Sequence, residues 1–190
     1  MPSSSYENVL TPLLADAHEL DIAHLSLRTG DRSRQWGIGS LNRAVVVTCL
    51  SAWEAYVEGV VKEAVESFRP DEPNRTIWQS INASTRSAVG RFNTPNVENV
   101  DRLLADSIGQ QNVSAAWAWR NCTVQQARDR LTEAITLRHQ IAHGVSPRPT
   151  VHNAYAQRLP MFFTRLGRST DAAVRTYLVN ELGVAHPWPA

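Results

Sequence analysis

The sequence predicts an all-α protein, an up-and-down bundle of about five to seven helices around a long central second helix. Apolar residues recur at helical spacing along most of the chain, and no apolar/polar alternation runs long enough to argue for a sheet. Pro, Gly and short polar residues fall between the periodic stretches, where helices stop and start. The 190 residues are 43% hydrophobic and 19% charged. That is enough for one domain with a sizeable core, and it is not the composition of a disordered segment.

The first helix is expected to begin after Ser3–Ser5, whose hydroxyls offer N-caps, and to run to about Arg28. Leu10, Leu13, Leu14, Ala17, Leu20, Ala23 and Leu27 supply its apolar positions. Residues 29–40, TGDRSRQWGIGS, read as a polar loop with three glycines. Gly37-Ile38-Gly39 is not a dinucleotide fingerprint, because no strand precedes it and the third Gly is missing.

The second helix is expected from about Leu41 to Phe68, with Ser40 as its cap and Pro70 and Pro73 ending it. At 100° per residue its apolar positions cover well over half the circumference. Leu41, Val45, Cys49, Ala52 and Tyr56 fill one side; Val46, Trp53, Val57, Val60 and Ala64 continue round; Leu50, Val61 and Val47 extend the arc. A helix so widely apolar is central, or it packs on its own fold on one side and on a second chain on the other.

Residues 75–89 and 97–108 read as helices separated by Gly90 and Pro95. The segment AWAWRNC holds Trp117 and Trp119 beside Arg120, and these three are candidates for binding RNA. Aromatic side chains next to an Arg can stack on bases, although such residues more often anchor a core. A further helix is expected from about Val124 to His143, with Thr123 as N-cap, Gly144 just past its end, and Pro147 and Pro149 forbidding continuation. The last helical region, about 154–182, is expected to kink at Pro160, break near Gly167 and restart at Thr170-Asp171. The whole chain reads as one domain with a core over about 5–182 and a mobile tail over 183–190.

The net charge of +1 excludes a strongly basic protein that binds nucleic acid by bulk charge. The charge is uneven: residues 1–70 carry a net −3 and residues 71–190 a net +4, so a polyanion should meet the second half. Of the 19 basic residues, 18 are Arg and one is Lys62; Arg matches phosphate geometry better than Lys. Cys49 and Cys122 form neither a disulfide framework nor a cysteine zinc site, and Cys49 reads as a small core residue. The opening residues lack the pattern of a signal peptide, and the longest apolar run, around AVVVTCL, falls short of the roughly 18 residues a membrane span needs. The expectation is a cytoplasmic protein without a membrane partner.

The chemistry concentrates in TLRHQIAHG, residues 136–144. On the wheel of this helix Leu131, Ile135 and Ala142 lie within about 20° of Val124, and Arg138 falls near the centre of that stripe. A guanidinium there costs several kcal/mol unless it is paired or faces a cleft. Such a local conflict marks a functional site. Glu54, inside the apolar arc of the second helix, is the expected partner. His143 follows Arg138 by five residues and points roughly 140° away, so within one chain the two make a poor catalytic pair. Two copies of the helix crossing at a dimer seam would bring two Arg and two His into one cleft. His139, four residues before His143, shares its face. HQIAH has the two-His spacing of a zincin helix, but position 140 is Gln, which cannot act as the general base, and a third ligand would have to come from His152 or a distant carboxylate. No G-x-S-x-G elbow is present.

The Arg-x4-His ending (Arg138, His143, then Gly144) combined with SAWEAYVEGVVKEAV resembles the HEPN superfamily, and within it the RiboL-PSP branch, in which a W-E-x-Y helix precedes the Arg/His helix. The resemblance covers about residues 5–182. It implies a metal-independent endoribonuclease without a cofactor, with its active site formed across a homodimer, acting in toxin–antitoxin, phage-defence or RNA-processing systems. His143 would then be the general acid/base for attack of a ribose 2′-OH on the adjacent phosphate, and Arg138 would hold that phosphate. His139 would orient or polarise, and Glu54 would support Arg138. The products would be a 2′,3′-cyclic phosphate and a free 5′-OH. The toxin branch paired with nucleotidyltransferase antitoxins carries a Tyr two positions after the His; here that residue is Val145, so regulation at that site is not implied. An antitoxin or defence-system partner would be a separate chain. Two other readings compete: a non-catalytic module binding RNA, a nucleotide or a protein partner through the same cleft, and a helical oligomerisation domain whose Arg138–Glu54 pair only fixes helix register.

Overall fold

The computed structural model describes residues 1–27, 32–70, 75–144 and 150–188, with the backbone alone for 32–37. It is an all-α bundle. A π-helical turn, Tyr6–Leu10, leads into α1, Thr11–Ser26. Then follow α2, Arg32–Ser67; α3, Arg75–Gly90; α4, Val97–Ile108; a 3-10 turn, Val113–Ala116; α5, Val124–Ala142; the short α6, Asn153–Ala156; and α7, Leu159–Asn180. Among the described residues there is no strand, only an isolated bridge between Trp119 and Cys122.

Helix α2 is the axis of the fold. It packs against α1, α3, α4, α5, α6 and α7. Val45, Val46, Cys49, Leu50, Ala52, Trp53, Tyr56, Val57, Val60, Val61 and Ala64 are all fully buried, as its wide apolar arc requires. Burial pushes the Cys49 thiol up to about 12, so it stays a neutral core residue. Within Ile38–Ser67 a window of 18 residues reaches a mean hydropathy of 1.4, long and apolar enough to cross a bilayer, which the run AVVVTCL alone understates. More than half of that window is buried against the protein's own helices, as expected of a core helix.

Trp53 and Tyr56 both point inward. The Trp53 Nε1–H donates to Pro95 O at 3.0 Å, and the Tyr56 hydroxyl donates to Gly167 O at 3.0 Å. The N-terminal segment is held by two carboxylates. Asp171 of α7 accepts from Ser3 N and Oγ, and Glu63 of α2 accepts from Ser4 N at 2.9 Å and from Ser5 N and Oγ. These bonds satisfy amide groups that a helix start leaves open, and negative charge suits that end of the helix dipole. Ser3 Oγ also accepts from Tyr6 N at 3.1 Å, so of the three expected serines Ser3 is the cap, while Ser4 and Ser5 are already helical. Burial raises the Asp171 carboxyl above its usual range, against the lowering effect of the Ser3 bonds.

Close approach at this junction needs a glycine. A Cβ on Gly59 would collide with Ser5 Oγ and lie 2.9 Å from Ser5 Cβ, an atom no rotamer change can move. Gly59→Ala is therefore expected to destabilise by about 1–2 kcal/mol despite the better helix propensity of Ala. Thermal unfolding would check it; an unchanged or raised Tm would contradict it.

The structure differs from the sequence reading at four places. Residues 32–40 are helical and extend α2, where a loop was expected. Gly37 and Gly39 cost helix propensity, but α1 packs along α2, and adding residues to an existing helix is nearly free. Residues 28–31 lie outside the described residues, as do Pro73, Val145, Pro147 and Pro149. Pro160 sits in the first turn of α7 and starts that helix instead of kinking it, because an N-terminal turn needs no proline N–H. Gly167 does not interrupt α7: a Cβ there would strike Leu10 Cδ2 and approach the Tyr6 ring at 3.3 Å, so the glycine serves helix–helix contact. Thr170 and Asp171 are accordingly buried in the middle of a continuous helix, not at a restart. Finally, the tail is not loose up to residue 188, because Trp188 is buried in the core and Val184 N donates to Leu178 O at 2.9 Å.

Candidate functional site

Helix α5 is defined at both ends by its own sequence. Thr123 and Gln126 form a reciprocal capping box, with Gln126 N donating to Thr123 Oγ1 at 3.2 Å and Thr123 N donating to Gln126 Oε1 at 2.9 Å. At the other end His143 is the C-cap and Gly144 takes a left-handed φ of +60°. The loop before α5 is tied down as well. Asp101 of α4 accepts from Ser114 N at 2.8 Å, and Arg128 of α5 donates to Ser114 Oγ at 2.7 Å. The segment after it is anchored to α2 by Asn42 Nδ2, which donates to Val151 O at 2.9 Å.

The buried face of α5 is Ala127, Leu131 and Ala134, and Arg138 is the next residue in that row at i+4. Its guanidinium lies where the core gives way to solvent, with its side chain 32% exposed, and Nη2 stands 3.4 Å from Glu54 Oε2 on α2. The pairing expected from the two helical wheels is thus present, and the cation is not sealed inside. Ala142, expected in the same stripe, is exposed. The buried row tilts toward Ala127 and Ala134, and its last turn projects past the core.

Glu54 shows two opposed effects. Burial raises its carboxyl above the ordinary range, Arg138 pulls it down, and neighbouring Glu58 adds a further upward push. The net direction is up. The folded carboxyl therefore holds its proton to higher pH than the unfolded one. In that window the native state binds more protons, so stability falls as pH rises through it. Glu54→Gln is expected to be as stable as the wild type or more so near neutral pH, with the advantage shrinking as pH falls into the carboxylate range. Tm measured against pH for both proteins checks this. A variant that is less stable only near neutral pH would show instead that the ion pair is a net stabiliser.

His139 and His143 are exposed on the last turn of α5, with ring centroids 4.1 Å apart at an interplanar angle of 50°. His143 N donates to His139 O at 3.0 Å, closing the helix. The His143 ring thus lies tilted against that of His139, while Arg138 turns to Glu54. Within one chain the Arg and the His that the sequence singled out lie on different faces. Among the described residues no third His, Cys, Asp or Glu joins the two imidazoles to make a metal-ligating group of three. On another flank of α5 a cavity of about 570 Å³ is lined by residues that include Asp129, Glu133, Gln140, His152 and Tyr155; its two carboxylates make it a poor seat for phosphate.

The two tryptophans separate. Trp117 is fully buried, donates from Nε1 to Thr170 Oγ1 at 2.9 Å and meets the Trp53 ring edge-on at 5.9 Å. It is a core anchor and cannot stack on a base, so its candidacy for RNA binding is withdrawn. Trp119 is half-buried with its ring 6.0 Å from that of Phe162, and Arg120 is exposed beside it. These two line a cavity of about 440 Å³ with Asn121, Arg165, Arg168 and Ser169. Arg165 and Arg168 were not foreseen as site residues. The only signal in the sequence is their i, i+3 spacing, and nothing in it shows what stands opposite.

A family model described as RiboL-PSP-HEPN matches residues 17–171. No curated protein and no solved structure matches the chain.

Proposed function

The chain belongs to the RiboL-PSP-HEPN family, and on that premise we propose that it is a metal-independent endoribonuclease working as a homodimer. The observation that carries this reading is Arg138. A permanent cation stands at the open rim of the buried face of α5, steadied by Glu54, on the same end of the helix as the exposed His139–His143 pair. Arg138 suits a phosphate, because its fork matches two phosphate oxygens. Imidazole suits proton transfer near neutral pH.

In the proposed reaction the ribose 2′-OH attacks the adjacent phosphorus. One His143 takes the hydroxyl proton, and the 5′-oxygen of the next nucleotide leaves with a proton from the second His143 across the dimer seam. Arg138 stabilises the charge that gathers on the phosphate oxygens. His139, whose ring lies against that of His143, orients it. The two-chain arrangement answers the geometry of α5, which turns Arg138 and His143 away from each other within one copy. The role we infer is that of a toxin or a defence or stress effector, with any antitoxin or partner on a separate chain.

Incubation of the purified protein with RNA and with DNA of the same sequence, both in excess EDTA, tests this reading. Cleavage of the RNA alone supports it; cleavage of neither, or of both equally, overturns it. A second reading, a non-catalytic module that binds RNA or a nucleotide, is favoured by the tie between Arg138 and Glu54, which draws the cation away from His143.

A further inference from the structure

The outer face of α7 carries Arg165 and Arg168 one turn apart, both exposed. The single acidic residue of that helix, Asp171, is buried and occupied by Ser3. Facing them is the tight turn Trp119–Cys122. It is closed by bonds from Trp119 N to Cys122 O at 3.0 Å and from Cys122 N to Trp119 O at 2.9 Å, with Asn121 at φ +66°. Asn tolerates that left-handed conformation better than other residues with side chains. The turn and the helix enclose the cavity of about 440 Å³ lined by Trp119, Arg120, Asn121, Arg165, Arg168 and Ser169, with no acidic side chain among them. Among the described residues none of the three guanidiniums has an ion-pair partner. Three arginines at one cavity repel one another, and an anion relieves this. The half-exposed Trp119 ring, propped on Phe162, adds an aromatic surface to the same cavity.

We propose that this cavity is a nucleotide-binding pocket. The base lies against Trp119, the phosphates are held by Arg120, Arg165 and Arg168, and Asn121 and Ser169 offer hydrogen bonds. The turn immediately precedes α5, whose 19 residues rise about 28 Å to the end that bears Arg138 and His143. The pocket therefore grips a strand several nucleotides away from the point of cleavage. In naming an RNA strand as its ligand the proposal rests on the ribonuclease reading; the same chemistry would also hold a free nucleotide.

The test is fluorescence anisotropy with a labelled mixed-sequence RNA of about 12 nucleotides, within the range that one single-strand site covers. It is run in EDTA on the His143→Ala protein, so that the strand stays intact. Adding R165A and R168A together is expected to raise Kd about tenfold or more. It should also flatten the slope of log affinity against log salt by about 1–1.5, since each phosphate contact on a single strand contributes about 0.7. Adding W119A should raise Kd by about 5- to 100-fold with the salt slope unchanged, the mark of lost stacking. Unchanged Kd and slope in both variants would overturn the pocket. Competition by adenosine monophosphate distinguishes the sources: full displacement identifies a free-nucleotide site, and displacement by oligonucleotides alone identifies a strand site. If the wild type never cleaves RNA yet binding still depends on these residues, the ribonuclease reading fails and the pocket stands.

Discussion

His143→Ala is expected to lower RNA cleavage by about 100- to 10,000-fold, the usual worth of a positioned acid or base. The fold should hardly notice. His143 is exposed, its backbone N–H still donates to His139 O in the variant, and Gly144 still supplies the left-handed residue that ends α5. Stability should therefore stay within about 0.5 kcal/mol of the wild type, and the oligomeric state should be the same. Rates by gel assay, with Tm and sizing on the same samples, separate loss of chemistry from loss of structure. Wild-type rates in the variant would remove His143 from the reaction. Arg138→Ala is a less clean probe, because it strands the partly buried Glu54 carboxylate.

The largest stability effect belongs to a residue that an RNA-binding reading would have placed at the surface. Trp117→Ala empties a fully buried site, removes the Nε1 bond to Thr170 and withdraws the edge contact on Trp53. A loss of about 3–5 kcal/mol is expected. Against a typical total of about 5–15 kcal/mol, that brings the protein close to unfolding. Denaturant unfolding measures it. A protein that keeps its midpoint but loses RNA would show that Trp117 faces solvent after all. Trp119→Ala should do the reverse, costing RNA affinity and little stability.

Much of the bundle was legible because its punctuation is chemical and local. Thr123 as a cap, the Gly144 stop, and Gly90 with Pro95 place α3, α4 and α5 within a residue or so of their observed limits. Arg138–Glu54 was legible for a different reason. A charge near the centre of the stripe expected from Val124, Leu131 and Ile135 needs an opposite charge nearby, and Glu54 sits inside the apolar arc of α2.

The misread positions are those where a residue type serves two purposes. Glycine ends helices, but Gly167 is there to let Leu10 and Tyr6 approach α7, and only tertiary contact shows it. Proline breaks helices, but Pro160 opens one. Gly37 and Gly39 suggested a loop that packing of α1 along α2 overrides. Trp117 and Trp119 are two residues apart and chemically identical; Trp117 reaches Trp53 and Thr170 in the core, while Trp119 stays at the rim in the turn closed with Cys122. Arg165 and Arg168 become a pocket only because a turn some forty residues earlier in the chain folds against them.

The central claim, 2′-OH attack at a metal-free Arg138/His143 site, is tested most directly by the ends of the cut RNA. Purified protein is incubated with a mixed-sequence RNA in EDTA, and the fragments are resolved before and after cyclic-phosphate opening and end labelling. The expected result is a 2′,3′-cyclic phosphate on one fragment and a free 5′-hydroxyl on the other, both absent with His143→Ala. Fragments ending in 3′-hydroxyl and 5′-phosphate would mean that water, not the ribose, attacked the phosphorus, and would contradict the mechanism.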